Sequence, residues 1–293
     1  MKPRTRATQA AHVRLYISKP LGRARVRDIN RAAVVRWLAG LRRQDGKPGP
    51  LSDGTKALVL ATLSSILDYA VLSDIVASNP CKSLDRKAKP RQGKIEDRVL
   101  APDELDALLV ACKRFPWLRP MIQTALLAAL RLGEVCGLDW QDIDFERGVI
   151  VVRQNYGKDG NLGTPKSGEV KEVPLVPELR RLLAGHKIAA ENTAPDAPAF
   201  VNKIGGRRRP NEVGRAFTKA RTYAGLSTGP RALRFHDLRH TTITTLANTP
   251  RAVLTQVQAF ARHESLQSTL LYIHRVEDAT WTEQAGAALA GIL

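Results

Sequence analysis

The sequence predicts a mainly α protein with a small β-sheet, divided into a helical module and a mixed α/β domain. Three observations predict it. The 293 residues are enough for about two domains at ~150 residues each. Apolar residues recur at helical spacing along most of the chain, but between residues 148 and 175 the pattern changes to short β-branched runs separated by glycines. The charge is also unevenly divided. Of a formal +18, residues 1–94 hold 20 Lys and Arg against six acids, a net of +14, which leaves +4 for residues 95–293. A hydrophobic content of 43% excludes a disordered chain. A basic first third followed by a nearly balanced remainder points to an extended polyanion as partner and to a second task downstream, unlike a purely basic packaging protein.

In chain order, residues 1–81 are expected to form a helical DNA-binding domain. Asp28 or Asn30 can cap a helix in which Ile29, Ala33, Trp37, Leu38 and Leu41 share a face. A loop at Gly46-Lys47-Pro48-Gly49-Pro50 precedes a second helix carrying Leu58, Leu63, Ile66, Leu67 and Ala70, and Asn79-Pro80 closes the module. Its basic surface gives Arg31, Arg36, Arg42, Arg43 and Lys56 as candidate DNA contacts. Residues 82–98, rich in Lys and Arg and poor in large apolar residues, are expected to be a basic linker that adds Lys87 and Arg91. Residues 99–293 form the second domain. A helix begins at Pro102-Asp103-Glu104, and a longer apolar one spans about Leu118 to Leu130. Strands are expected at 148–152, near 163–166 and at 170–175. Helices resume at Pro177, and an amphipathic tail helix is expected over Thr280 to Leu293.

Three cysteines without CxxC spacing exclude a disulfide framework or zinc ribbon and fit a reducing cytoplasm. The start lacks the apolar run of a signal peptide, and Met121 to Leu130 is too short for a bilayer at ~20 residues, so neither membrane nor export is expected.

Single candidates for chemistry have structural explanations: a cation after an apolar helix (Arg131), a lysine in a polar turn (Lys166), a tyrosine on an amphipathic helix (Tyr272). His236-Asp237-Leu238-Arg239-His240 is harder to dismiss. On a helix it places two imidazoles on one face with a guanidinium beside them. H-D-x-x-H is close to a zinc-protease spacing, but the fixed cation disfavours a metal, and an anion, such as a backbone phosphate, is the better guest. Arg207-Arg208-Arg209 is balanced between phosphate contact and a solvated loop.

The ordered set resembles a known family. Arg131-Leu132-Gly133-Glu134 precedes Leu138, Trp140 and Asp142-Ile143-Asp144. Lys166 follows, before Val173-Pro174-Leu175; then come His236-Asp237-Leu238-Arg239-His240, His263, Tyr272 and His274. This pattern of Arg, Lys, His-x-x-Arg, His and Tyr is similar to that of the tyrosine recombinases, the phage-type integrases. The resemblance implies a SAM-like core-binding domain before a tyrosine-recombinase catalytic domain, together clamping a duplex. It implies site-specific DNA cutting and rejoining through a covalent 3′-phosphotyrosyl intermediate, with no metal, ATP or other cofactor. It assigns Arg131 and Arg239, with His236 and His263, to the phosphate, Tyr272 as nucleophile, Lys166 as general acid, and His236 to proton transfer at the tyrosine. Glu134 and His240 would support the site. The implied partners are double-stranded DNA with paired half-sites, further copies of the chain as a dimer or tetramer on DNA, and accessory DNA-bending or directionality factors. The separate arm-site domain of many phage integrases is not expected here. Two departures stand out: Ala128-Ala129 where the family usually has Thr-Gly, and Arg262 where it usually has Gly before the histidine. The alternatives are a type IB topoisomerase, which shares this chemistry, and a DNA-binding regulator with an inactive site.

Overall fold

A computed structural model describes residues 3–44, 46, 49–91, 98–164, 168–227, 231–249 and 252–272. Lys166, His274 and the expected tail helix at 280–293 lie outside the described residues. The chain divides into two compact units, Met1–Glu96 and Asp97–Leu293.

In the first unit, α1 (Pro3–His12) passes through a wider turn at Val13–Ile17 into α2 (Ser18–Leu21), followed by α3 (Arg31–Gly40) and α4 (Asp53–Leu72). Of the two cap candidates, Asn30 is the one used: its side chain accepts the Ala33 N–H at 2.9 Å. Ser52 caps α4 in the same way through the Thr55 N–H at 3.3 Å. Val34, Trp37 and Leu38 of α3 bury against Val59, Leu60, Leu63 and Leu67 of α4, together with Ile17, Cys81 and Leu84. By length and composition α4 is apolar enough to cross a membrane, but that inner stripe is the core of this unit. The helix stops at Leu72, short of the expected Asn79. Asn79 instead staples the following turn to α4: its Nδ2 donates to Ser64 O and Asp68 Oδ1, each at 2.9 Å, while its Oδ1 accepts the Cys81 N–H at 2.9 Å. With Leu84 in the core and Lys82 paired to Asp68 at 2.7 Å, the start of the basic stretch from residue 82 packs with the first unit.

The second unit begins with α5 (Pro102–Ala111), α6 (Leu118–Leu127) and α7 (Leu132–Gly137). It continues through strands β1 (Ile143–Asp144), β2 (Val149–Val152), β3 (Asn155–Tyr156), β4 (Leu162–Gly163) and β5 (Lys171–Pro174). It then runs through α8 (Pro177–Ile188), α9 (Pro210–Tyr223), α10 (Phe235–Ala247), α11 (Leu254–Ala261) and α12 (Leu266–Leu270). The strands form two sheets rather than one. β1, β2 and β5 make an antiparallel sheet in the order β1-β2-β5, with Ile150 opposite both Ile143 and Val173; β3 and β4 form a separate hairpin. The reason is geometric: β3 lies against α7. A Cβ at Gly133 would stand 2.1 Å from Asn155 Oδ1 and 3.0 Å from Tyr156 O, so only glycine lets the helix that follows Arg131 approach the hairpin this closely.

Leu118, Met121, Ile122 and Ala125 of α6 occupy the centre of the core, between Leu179 and Leu183 of α8, Val213 and Phe217 of α9, and the buried face of the three-stranded sheet. Three helices start in one way, with the acid three residues in reaching back to the N-cap N–H. Glu104 bonds Ala101 at 3.1 Å, Glu134 bonds Arg131 at 2.9 Å and Asp237 bonds Arg234 at 2.6 Å. Arg207 and Arg208 are internal braces rather than phosphate contacts or a solvated loop. Arg207 pairs with Asp139 and donates to Leu138 O at 3.1 Å, and Arg208 pairs with Glu212 while stacking 3.6 Å from the Trp117 ring. Glu212 lies four residues from Arg208, but Asp139 and Trp117 are distant in the chain.

Candidate active site

Four segments of the second unit meet at one place: the α6–α7 turn, the first turns of α10, the end of α11, and the residues after α12. Arg131 is the N-cap of α7, not the end of α6, because α6 closes early. Ala129 adopts a left-handed φ of +47°, and the chain re-enters a helix at Leu132. Arg131 is half-exposed; its Nη1 donates to Glu134 Oε1 at 2.8 Å, and Glu134 itself is buried. Burial pushes the Glu134 carboxyl up, but the guanidinium groups of Arg262 and Arg131, with the Arg131 N–H, outweigh it and hold the pKa below the ordinary value.

His236, Arg239 and His240 all lie at the start of α10, as expected. His236 faces solvent, with its ring edge-on to His240 at 4.6 Å. Arg239 is 2% exposed and lies beneath, its two Nη atoms donating to Ala129 O and Ala261 O. Burial, then the charges of Arg131 and Arg262, lower its pKa to about 9, so it stays a cation at neutral pH. Asp237 caps the helix and pairs with Arg234. The histidine spacing of the H-D-x-x-H segment thus has a structural use for its acid.

Tyr272 is buried just after α12, on a small apolar cluster of Ala129, Ile243, Ala247, Val257 and Ala261. Its hydroxyl lies 2.6 Å from His240 Nδ1, and its ring stacks between His240 (5.5 Å) and His263 (5.8 Å). Asn248 Nδ2 donates to the Tyr272 carbonyl at 2.8 Å and fixes the backbone. The imidazole on the hydroxyl is that of His240, and His236 packs against the His240 ring. His263 Nδ1 is 3.0 Å from Thr269 Oγ1. Burial, followed by Arg239, Arg131, Arg262 and His240, lowers the His263 pKa to about 4. Desolvation and His240, then Arg239, Arg131 and Arg234, do the same for His236. Both imidazoles are neutral at pH 7, hydrogen-bonding groups in a field of fixed cations.

Arg262 was expected only as an extra cation beside His263. The structure buries it across Glu134, with Nη2 at 2.9 Å from Glu134 Oε2. An arginine directly before a site histidine was the available signal, but its partner 128 residues away was not visible in the sequence. The other tyrosine considered, Tyr156, is half-buried in β3 with Arg207 5.7 Å from its ring centre.

Among the DNA-contact candidates, Arg31 pairs with Asp85, Lys56 is half-buried and lies 3.5 Å from Asp53, and Arg42 donates to Ala39 O at 3.0 Å and Leu41 O at 3.2 Å. Arg36, Lys87 and Arg91 are exposed, and Arg43 is half-buried.

The helical unit and the mixed unit together have the fold of DNA-bound integrases of known structure. The Tn1549 transposon integrase, in complex with a circular intermediate DNA, matches with a TM-score of 0.83 at 20% identity, over 97% of this chain and 94% of that one. A lambda integrase dimer bound to a COC′ core site matches with a TM-score of 0.74 at 20% identity, over 95% and 75%. In sequence, a protein of Mycobacterium tuberculosis described as a prophage phiRv2 integrase is 30% identical over 280 residues, 94% of this chain and 70% of that one. Tyrosine recombinase XerC of Serratia marcescens is 27% identical over 246 residues, 83% and 74%. Residues 98–278 match the profile of the phage integrase family. The chain belongs to that family and is a tyrosine recombinase, an enzyme that cuts and rejoins DNA.

Proposed function

We propose that the chain recombines DNA at specific sites with Tyr272 as the nucleophile, and that the protein supplies the whole of the chemistry from its own side chains. The observation that carries this is the Tyr272 hydroxyl held 2.6 Å from His240 Nδ1, in a cluster that also contains Arg131, Arg239, His236 and His263. Attack on a phosphodiester spreads negative charge over the nonbridging oxygens. Arg131 at the exposed rim and Arg239 at the floor would stabilise that charge electrostatically, and the neutral His236 and His263 can donate hydrogen bonds to it. With its Nδ1 unprotonated, His240 would accept the hydroxyl proton there as the tyrosine oxygen bonds to phosphorus.

The bond from phosphorus to the 5′ oxygen then breaks, leaving a 3′-phosphotyrosyl link and a 5′-hydroxyl. The departing oxygen needs a proton. Lys166, which the family resemblance makes the general acid, is the proposed donor. Rejoining is the reverse step with another strand's 5′-hydroxyl, and the energy of the broken ester is retained in the phosphotyrosine, so no nucleotide triphosphate is required. Pairs of half-sites imply further copies of the chain on the DNA. The lambda integrase tetramer bound to a Holliday junction, matched at a TM-score of 0.71, is consistent with that arrangement.

Incubation with DNA of the source genome, followed by trapping and sequencing of protein-linked fragments, tests this. Links at 3′ ends within one short recurring sequence are expected, with full yield in excess EDTA. Links scattered at random, or cleavage lost to the chelator and restored by Zn²⁺, would overturn it.

A further inference from the structure

Three described residues other than glycine have a left-handed backbone, and two of them, Ala129 (φ +47°) and Arg262 (φ +56°), meet at the site. A side chain in that region costs roughly 1–2 kcal/mol and persists only where its surroundings fix it. For Arg262 the surroundings are specific. It is 7% exposed. Its Nη2 donates to Glu134 Oε2 at 2.9 Å and Ala129 O at 3.1 Å, and its Nη1 reaches Ala128 O and Phe260 O, both at 3.4 Å. Burying a guanidinium is costly unless it is fully paired. Glu134 already has a cation on its other oxygen, Arg131, and an N–H on Oε2, so neutralising that carboxylate does not require a second arginine.

We propose that Arg262 is a positioning residue of the recombination site, whose buried guanidinium ties the turn that carries Arg131 to the turn that carries His263. The proposal rests on the site reading given above. Ala129 O accepts from both Arg239 and Arg262, so one carbonyl of the α6–α7 turn is gripped by the α10 cation and by the α11 end together. Glu134 is shared between two guanidinium groups, which leaves the half-exposed Arg131 with uncancelled positive charge for a phosphate. His263, the next residue, faces Arg239 and His240 from α10, Arg131 from the start of α7, Tyr272 and Thr269 from the α12 segment, and Arg262 from its own turn. Burial first, and then the fixed cations among these, keep the imidazole in its neutral, hydrogen-bonding form.

Arg262→Gly, which suits the backbone but removes the guanidinium, and Arg262→Lys, which keeps a charge, are the variants. The His263 ring is titrated by NMR in the free protein, and single-turnover cleavage and DNA affinity are measured on a nicked duplex. In Arg262→Gly the His263 pKa is expected to rise from about 4 toward the ordinary value, and cleavage to fall by about 10²-fold at unchanged DNA affinity. Arg262→Lys should restore a large part of both. An unshifted His263 in Arg262→Gly, or a cleavage loss matched by a loss of thermal stability that lysine does not rescue, overturns the proposal. The titration needs no DNA. If the wild type does not cleave, the site reading fails, and the His263 shift still decides whether Arg262 positions that ring.

Discussion

The chemistry of Tyr272 depends on which imidazole it meets. A phenol is a weak nucleophile until its proton has somewhere to go, and in the proposed mechanism His240 Nδ1, 2.6 Å from the hydroxyl, is that place. The family resemblance makes His240 a supporting residue and His236 the proton-transfer candidate on the tyrosine side; both lie on one face of α10, and spacing alone does not rank them. The ranking comes from the α12 segment, which lays the Tyr272 ring on His240 and His263. The same crowding gives the site a pH signature. His263 titrates at about 4 in the folded chain against an ordinary 6.5, so on acidification the unfolded chain takes up a proton that the folded chain refuses. Stability contributed by this group is complete above about 6.5 and is lost as pH falls toward 4. Melting temperature measured from pH 8 to 5 should be flat above 6.5 and decline below it, and His263→Gln should decline less steeply. A melting temperature that rises on acidification would contradict the charge arrangement described.

At the scale of elements, α3, α4, α5 and α6 are legible from apolar spacing and caps, since each buries a single stripe. Two features were not. α6 ends at Leu127 although Ala128 and Ala129 look like helix formers and the apolar run continues; the left-handed turn is closed by the Leu130 N–H on Ala125 O at 3.1 Å and held by the contacts of Ala129 O with Arg239 and Arg262, which the sequence does not show. The β3–β4 hairpin reads as part of one sheet until the approach of Gly133 to Asn155 is known. Asn79 shows the opposite: its place after α4 was read as a stop signal, whereas it is a staple. Removing it leaves Ser64 O, Asp68 and the Cys81 N–H without that partner. Asn79→Ala is expected to cost about 2–4 kcal/mol in urea unfolding of the first unit. A change below about 0.5 kcal/mol would mean that the turn is held by Leu84 and Cys81 alone.

For the whole molecule, the division of charge matches the division of cores. Residues 1–94, which carry the net +14, hold their own buried cluster around Trp37, Leu63 and Leu67, while the nearly neutral remainder holds the proposed site. Both halves of that arrangement are read from the sequence, the charge by counting and the proposed site by the order of Arg131, His236, Arg239, His263 and Tyr272, which the fold brings together. The individual DNA contacts are read less fully, since Arg31 and Lys56 have internal acidic partners that counting does not show. A fragment of residues 1–94 should bind duplex DNA by itself. With ~6–10 phosphate contacts it should lose ~10³–10⁵ in affinity between 50 and 200 mM salt. An affinity independent of salt would place DNA recognition elsewhere.

The nucleophile is the centre of the account, and one gel decides it. A nicked substrate that traps the covalent intermediate is incubated with wild type, Tyr272→Phe and Tyr156→Phe and resolved under denaturing conditions. Phenylalanine keeps the ring between His240 and His263 and removes one hydroxyl, so folding and DNA affinity should change little. Wild type and Tyr156→Phe should give the slow-migrating protein–DNA adduct, and Tyr272→Phe none. An adduct that persists in Tyr272→Phe would contradict the assignment of the nucleophile.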